Sequence, residues 1–262
     1  MIKALFSAAS GMRAQQTCID TIANNLANVS TNGFKASNVN FQDLLYSETI
    51  QPGAEAAEGS QVPTGLQVGS GVRVVSTAKL FTNGEMEQTG RDLDVAVQGR
   101  GFFAITMPDG TTAYTRDGSF GLDGQRRIVN ADGQLLADNI TIPDKTSTIT
   151  IAADGKVYAT TGTNTTPSQV GQINIAIFPN NGGLRSIGAN LFTETVASGQ
   201  PSKHVPGQDG TGALQQGTLE RSNVDVVAEL VRLISAQRAY EINSKSINIS
   251  DHMLQTSSNL VR

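Results

Sequence analysis

From Ser222 to Arg262 the chain contains neither Pro nor Gly. Within that stretch Val226, Leu233, Tyr240, Ile247, Leu254 and Val261 recur every seven residues without a break. A backbone free of both breakers, carrying an unbroken heptad of apolar side chains, predicts one long helix with an apolar seam. Ser222-Asn223-Val224-Asp225 supplies a hydroxyl or amide cap with an acidic residue three positions on, close to a capping box. On a helical wheel Ala239, Ile242, Ile249, Met253 and Leu260 extend the seam into a broad apolar arc. The opposite face carries Gln237, Arg238, Glu241, Ser244, Lys245, Asn248, Asp251, Gln255 and Ser258.

The first residues read the same way. Between Met1 and Val29 there is no Pro, and Gly11 is the sole glycine. Leu5, Ala8, Met12, Ile19, Ile22, Leu26 and Val29, with Gln15 in the remaining slot, step by three and four, again a heptad seam. This helix should stop near Asn32-Gly33, because Gly accepts the left-handed conformation that closes a helix. Two such helices at the ends of one chain suit an antiparallel hairpin. One partner covers only a narrow seam, so the broad C-terminal arc leaves apolar surface over, and such surface marks binding. Either it docks on the rest of the same molecule, or identical copies cover it in a non-closing head-to-tail contact that generates a helical filament.

Between the ends the period changes to two. Asp-Gly pairs begin at Asp109, Asp117, Asp123, Asp132, Asp154 and Asp209, and Asn-Gly pairs at Asn83 and Asn181. The β-rich runs Val72–Val75, Leu93–Val97, Phe102–Thr106, Ile149–Ile151 and Ile173–Phe178 lie among them, the pattern of antiparallel hairpins. Tyr46–Val68, with Pro52, Pro63 and several glycines, reads as an extended connector, and Thr160–Ser168 as a polar loop tip. The expected fold class is therefore α+β. Long terminal helices pack as a coiled-coil-like domain (residues 1–33 and 219–262), an extended connector spans 34–69, and a central antiparallel all-β domain spans 70–218.

Composition removes several function classes. The net charge is -4, where a nucleic-acid surface needs a basic excess. No apolar run approaches the roughly 18 residues that cross a bilayer, and the N-terminus shows no cleavable secretory signal. The single Cys18 excludes an intramolecular disulfide and a multi-cysteine zinc site. It has no base near it in sequence and reads as a small semi-buried thiol. His204, in the Pro201–Pro206 loop, and His252, on the polar helix face, read as surface imidazoles. Gly69-Ser70-Gly71 and Gly99-Arg100-Gly101 lack the third glycine and following helix of a dinucleotide site. Asn130-Ala131-Asp132-Gly133 is a fragment of a calcium loop, with Ile128 where the first ligand belongs. Asp92 and Asp94 sit on a strand-like run whose default is a solvated face. No catalytic residue, metal or cofactor is expected.

Several segments resemble a known family. Ala8-Ala9-Ser10-Gly11-Met12, Gln15-Gln16 and Ile22–Lys35 (with Ala23-Asn24-Asn25-Leu26-Ala27-Asn28 and Thr31-Asn32-Gly33-Phe34-Lys35) resemble the N-terminal signature of bacterial flagellar rod and hook proteins. Leu219–Asp225, Glu229-Leu230-Val231 and Ala236–Glu241 resemble its C-terminal half. Asp92–Val97, Gly101-Phe102-Phe103 and Tyr114–Phe120 resemble the shared β domain. Phe41–Tyr46, Gln51–Ala54 and Pro63–Gly69 are similar to a segment characteristic of the distal-rod branch, with proximal-rod and hook subunits as alternatives. Thr160–Thr166 and Asn180–Gly183 follow no family motif.

The resemblance implies a structural subunit, not an enzyme. Copies would assemble helically into the hollow distal rod, the drive shaft that carries torque from motor to hook and encloses the export channel. It implies a basal-body location spanning the periplasm and passage through the flagellar type III export apparatus. Implied partners are further copies of itself, proximal rod proteins, the hook or hook junction, and the peptidoglycan- and outer-membrane-ring proteins, without nucleic acid or membrane insertion. Leu5, Met12, Ile19, Ile22 and Leu26 would pack against Val226, Leu233, Tyr240, Ile247, Leu254 and Val261 within and between subunits. Gln237, Glu241, Ser244, Asn248, Asp251, Gln255 and Ser258 would border the channel, against the simpler reading of a solvated face. Tyr46, Pro52, Pro63 and Leu66 would mark a rod-specific brace, against a flexible linker. From another class, an adhesin-like or carbohydrate-binding β module, or a cell-wall glycosidase using Asp92 and Asp94, are the competing readings.

Overall fold

The computed structural model describes the whole chain apart from Met1, Gly53, Ala54, Glu58, Gly59, Val62, Thr163, Asn164, Thr165, Val261 and Arg262. It is α+β, with two long helices, α1 (Ile2–Ala27) and α2 (Val226–Leu260), and antiparallel strands between them. The chain forms two compact units, each discontinuous in sequence. One comprises residues 1–27, 37–78 and 225–262, and the other residues 28–36 and 79–224.

In the helical unit the two helices run antiparallel. Gly11 lies so close to Asn243 that a Cβ there would meet its side-chain nitrogen at 2.9 Å. Farther along α1, Cys18 lies beside Glu229 and Arg232 near the start of α2. The first helix ends at Ala27 rather than near Asn32-Gly33. Its Asn25 is buried and reaches forward to Ser37: Nδ2 donates to the Ser37 carbonyl at 2.9 Å, and Oδ1 accepts from the Ser37 amide at 2.9 Å. That side chain imitates one rung of a ladder and fixes where strand Ser37–Asp43 begins. The cap of α2 also differs from expectation. Asp225 Oδ1 accepts from the amides of Val227 at 2.9 Å and Ala228 at 3.2 Å, while Ser222 and Asn223 bond elsewhere.

Tyr46–Val68, expected as an extended connector, contains an antiparallel ribbon. Tyr46–Ile50 pairs with Leu66–Gly69, and Tyr46 stands opposite Gly69. Strand Val72–Lys79 pairs with Ser37–Asp43. That pairing draws residues 70–78 into the helical unit, although the sequence places them with the β domain.

The β unit is built around Phe102–Thr106. Its side chains alternate between two cores, Phe103 and Ile105 in one, Phe102 and Ala104 in the other. A strand buried on both faces reads as a continuous apolar run. It pairs with Thr112–Thr115, Leu135–Leu136 and Ile175–Ile177. Asp109-Gly110, Asp132-Gly133 and Asp154-Gly155 each close a hairpin, with the glycine at a φ of +81°, +79° and +81° respectively. Positive φ at that position is what an L side chain resists.

This unit also holds three charges that the sequence did not disclose. Lys35, Arg116 and Glu220 are almost wholly buried. Lys35 Nζ donates to Glu220 Oε1 at 2.6 Å and to the Thr82 carbonyl at 2.7 Å. Arg116 Nη1 lies 3.4 Å from Glu220 Oε2, and Nη2 donates to the Gly99 carbonyl at 2.7 Å. Burial pushes both the Lys35 ammonium and the Arg116 guanidinium below their ordinary pKa range, with Glu220 pulling each back up. Beside them Asn223 accepts from the Ala36 amide at 2.7 Å and donates to the Leu80 carbonyl at 2.8 Å. Residues just after α1 and just before α2 are thus built into the β unit.

Two cations share one carboxylate, so the three substitutions are not equivalent. Glu220→Gln leaves both cations unpaired and should cost about 3–5 kcal/mol. Lys35→Met leaves a balanced Arg116–Glu220 pair and should cost markedly less. Urea unfolding followed by circular dichroism checks the order; equal losses would show that charge balance does not govern this cluster.

Candidate assembly surfaces

The seam of the helical unit follows from burial along each helix. On α2, Leu233, Ile247 and Leu254 are half-buried as one row, whereas Val226 and Tyr240 of the same heptad are more exposed than covered seam positions. Val261 lies outside the described residues. A second row, Glu229, Ala236, Asn243 and Ser250, is buried or half-buried three residues behind the first. The sequence reading missed this row because its members are small or polar. Its one available signal was the three-residue offset that a two-row seam requires. On α1, Ile22 is buried with Ala8 and Ala14, and Leu5, Met12, Ile19 and Leu26 are half-buried. Gly11, with no side chain, admits Asn243 at the crossing.

A second apolar face of α2 remains uncovered. Val227, Leu230, Val231, Ile234, Ile242, Ile249 and Met253 are all exposed, Val227 at 71% and Ile242 at 64%. Ile234 and Asn243 are nine residues apart, two and a half turns, so they point to opposite sides. The arc expected as a single broad band is therefore two bands, one facing α1 and one facing outward.

Between the bands runs the polar stripe. Gln237, Glu241, Asn248, Asp251, Gln255 and Ser258 are exposed and Ser244 is half-buried. Gln255 Nε2 donates to Asp251 Oδ2 at 3.0 Å, one turn earlier. The ribbon presents a further apolar surface. Leu45 is 89% exposed, and Tyr46, Ile50, Leu66 and Val68 are exposed beside it. Pro52 and Pro63 are exposed beyond its strands, and Glu48 Oε1 accepts from Gln67 Nε2 across it at 3.1 Å.

The residues weighed for chemistry are dispersed. Asp94 is buried, where a solvated position was expected, and accepts from Thr89 Oγ1 at 2.6 Å. Asp92 is exposed, so the two carboxylates lie in opposite environments. His204 Nδ1 lies 3.4 Å from Asp209, and His252 is exposed on α2. Cys18 is half-buried, and burial with the nearby Glu229 raises its thiol pKa. Among the described residues no group of three His, Cys, Asp or Glu side chains converges to hold a metal ion.

Comparison with known proteins places the whole chain in one family. Three family models match. They are a flagella basal body rod protein model over residues 5–35, a flagellar hook protein FlgE/F/G D1 domain model over 96–159, and a flagellar basal body rod FlgEFG C-terminal model over 215–260. Each matched segment holds one member of the buried triad. Over its full length the chain is 48% identical to the flagellar basal-body rod protein FlgG of Borreliella burgdorferi, covering 100% of both chains. It is 47% identical to that of Caulobacter vibrioides over 99% of both chains, and 41% identical to that of Bacillus subtilis over 100% of both. The chain belongs to the flagellar basal-body rod family.

Proposed function

We propose that this chain is the repeating, non-catalytic subunit of the hollow distal rod. Copies stack helically so that the outward apolar band of α2 on one is covered by its neighbours. The observation that supports this most directly is that band itself: seven large apolar side chains exposed on one helix, on a chain that matches rod proteins from end to end. A soluble chain leaves such a surface open only where another surface is to cover it. The α1–α2 pair packs in coiled-coil fashion as the inner layer. The stripe of Gln237, Glu241, Ser244, Asn248, Asp251, Gln255 and Ser258 borders the channel. Hydroxyl, amide and sparse carboxylate groups give a wet lining that holds no unfolded passenger by apolar contact. The exposed ribbon with Tyr46, Pro52, Pro63 and Leu66 braces adjacent subunits and stiffens the tube. Proximal rod, hook and ring proteins are the neighbours at the ends and rim, in a rod spanning the periplasm and supplied by the type III export apparatus.

Ile242→Asp separates assembly from folding. Ile242 lies on the outward band, so the monomer should change stability by less than about 0.5 kcal/mol, whereas a buried, unpaired carboxylate at the contact should abolish filaments. Sedimentation and electron microscopy read assembly, and far-UV circular dichroism reads the fold. Filaments of normal abundance from Ile242→Asp would reject the outward band as the contact. Ile247→Asp is the contrasting variant, since Ile247 faces the seam and should disturb the monomer as well.

For the channel, single cysteines at Asp251 and Gln255 in a Cys18→Ser background should crosslink to a substrate held in transit. Absence of crosslinks at both positions, with secretion intact, would remove the stripe from the lumen. Deleting residues 46–68 should give a more bendable rod, measured as persistence length in electron micrographs. An unchanged persistence length would reject the brace.

A further inference from the structure

Glu229 is an unusual acid for the first turn of a helix. It is 5% exposed, and its Oε1 accepts from Arg232 Nη1 at 3.1 Å. Its Oε2 is buried and has no hydrogen-bond partner among the described residues. The residue lines a cavity of about 310 Å³ between α1, α2 and strand Ser37–Asp43, with Ile22, Val39, Ala236 and Ala239 as apolar walls and Cys18 at one side. A carboxylate oxygen left unmatched in such surroundings destabilises the fold unless a donor reaches it. Arg232 is mostly exposed and engages only the other oxygen.

The outward band of α2 carries the opposite defect. Arg238 is exposed and makes no ion pair or hydrogen bond among the described residues. One turn on either side of it stand Ile234 and Ile242, both exposed. Covering that band buries Arg238 too, and a guanidinium under apolar cover needs an acceptor. Its aliphatic stem suits apolar walls while the planar head meets an oxygen at the floor. Lys245 is the other cation of the band, and Glu241 lies one turn from each of the two; Arg238 alone carries the planar fork that meets a carboxylate with paired donors.

The two defects cannot cure each other within one molecule. Glu229 and Arg238 are nine residues apart on one continuous helix, two and a half turns, and so project from opposite sides. We propose that the cavity over Glu229 is a socket for Arg238 of a second copy of this chain, whose guanidinium donates to Glu229 Oε2. Glu229 and Arg238 point to opposite sides of α2, so the contact is heterologous, the kind that builds a filament where its rotation does not close a ring. This contact rests on the copy-to-copy assembly proposed above and specifies one pair of residues within it.

Cys18 makes the test direct, because the only native cysteine sits in the socket wall. Full-length Arg238→Cys protein, assembled at high concentration, is treated with a short-spacer bis-maleimide and run on a denaturing gel. A ladder of covalent multimers is expected, absent from the unaltered chain and abolished by adding Cys18→Ser. No ladder from assembled Arg238→Cys, or an equal ladder from Lys245→Cys, would overturn the pairing. A double-mutant cycle on the critical concentration gives an independent reading. Glu229→Gln and Arg238→Gln should each raise it about tenfold, and the double variant no further, the signature of direct coupling. Multiplying effects of about a hundredfold would mean the two residues act separately and would sink the socket. Failure of the unaltered chain to assemble at all would instead reject the subunit reading, and this contact with it.

Discussion

The packing of the helical unit turns on a mismatch on α2. A helix packed against one partner hides one stripe of its surface. α2 carries two apolar bands on opposite sides and packs one of them against α1, while Val227, Ile234, Ile242 and Ile249 of the other stay exposed. Under the proposed assembly, neighbouring copies supply the missing cover. The same reasoning explains the polar stripe. Were Gln237, Asn248 and Gln255 apolar too, the helix would be greasy all round and would lose any preferred orientation among its neighbours.

The β unit holds its own terminal segments by a separate device. The chain crosses between its two units after Ala27, Ala36, Ala78 and Val224, which invites the β unit to fray at its entry and exit. The cluster of Lys35, Arg116 and Glu220 opposes that. Its members come from the segment after α1, from the middle of the β unit and from the strand before α2. Buried ion pairs add little net stability over apolar packing, but they tolerate few alternative arrangements. The triad and the two-sided amide contacts of Asn223 tie both terminal segments into the β unit.

Much of this was legible in the sequence, unevenly. Both helices were visible because neither contains Pro, Gly11 is the one glycine within them, and apolar residues recur at heptad spacing. Phe102–Thr106 and the Asp-Gly hairpins were visible because turn chemistry and continuous burial leave local marks. The ribbon at Tyr46–Ile50 and Leu66–Gly69 was not, since Pro52, Pro63 and the glycines between its strands outweigh a short pairing signal. The end of α1 was misplaced by six residues, from Ala27 to Gly33, because Asn25 spends its side chain on a strand twelve residues ahead. Capping by Asp225 rather than Ser222 was hidden for a related reason: Asn223 is held by Ala36 and Leu80, which no local pattern announces.

What stayed hidden shares one property. Heptad reasoning finds apolar residues, so it found Leu233, Ile247 and Leu254 and passed over Glu229, Ala236, Asn243 and Ser250, which are equally part of the seam. Triad and socket alike are polar groups removed from water, whose meaning depends on partners far away in sequence. Glu220 and Glu229 illustrate the difference between the two cases. Glu220 has each oxygen engaged by a cation of its own unit, and so its work ends with folding. Glu229 has one oxygen engaged and one not, and a fold that keeps such a group carries its incompleteness forward into assembly. The unsatisfied atom and the uncovered isoleucines lie on opposite sides of α2, and the contact proposed above would answer both at once.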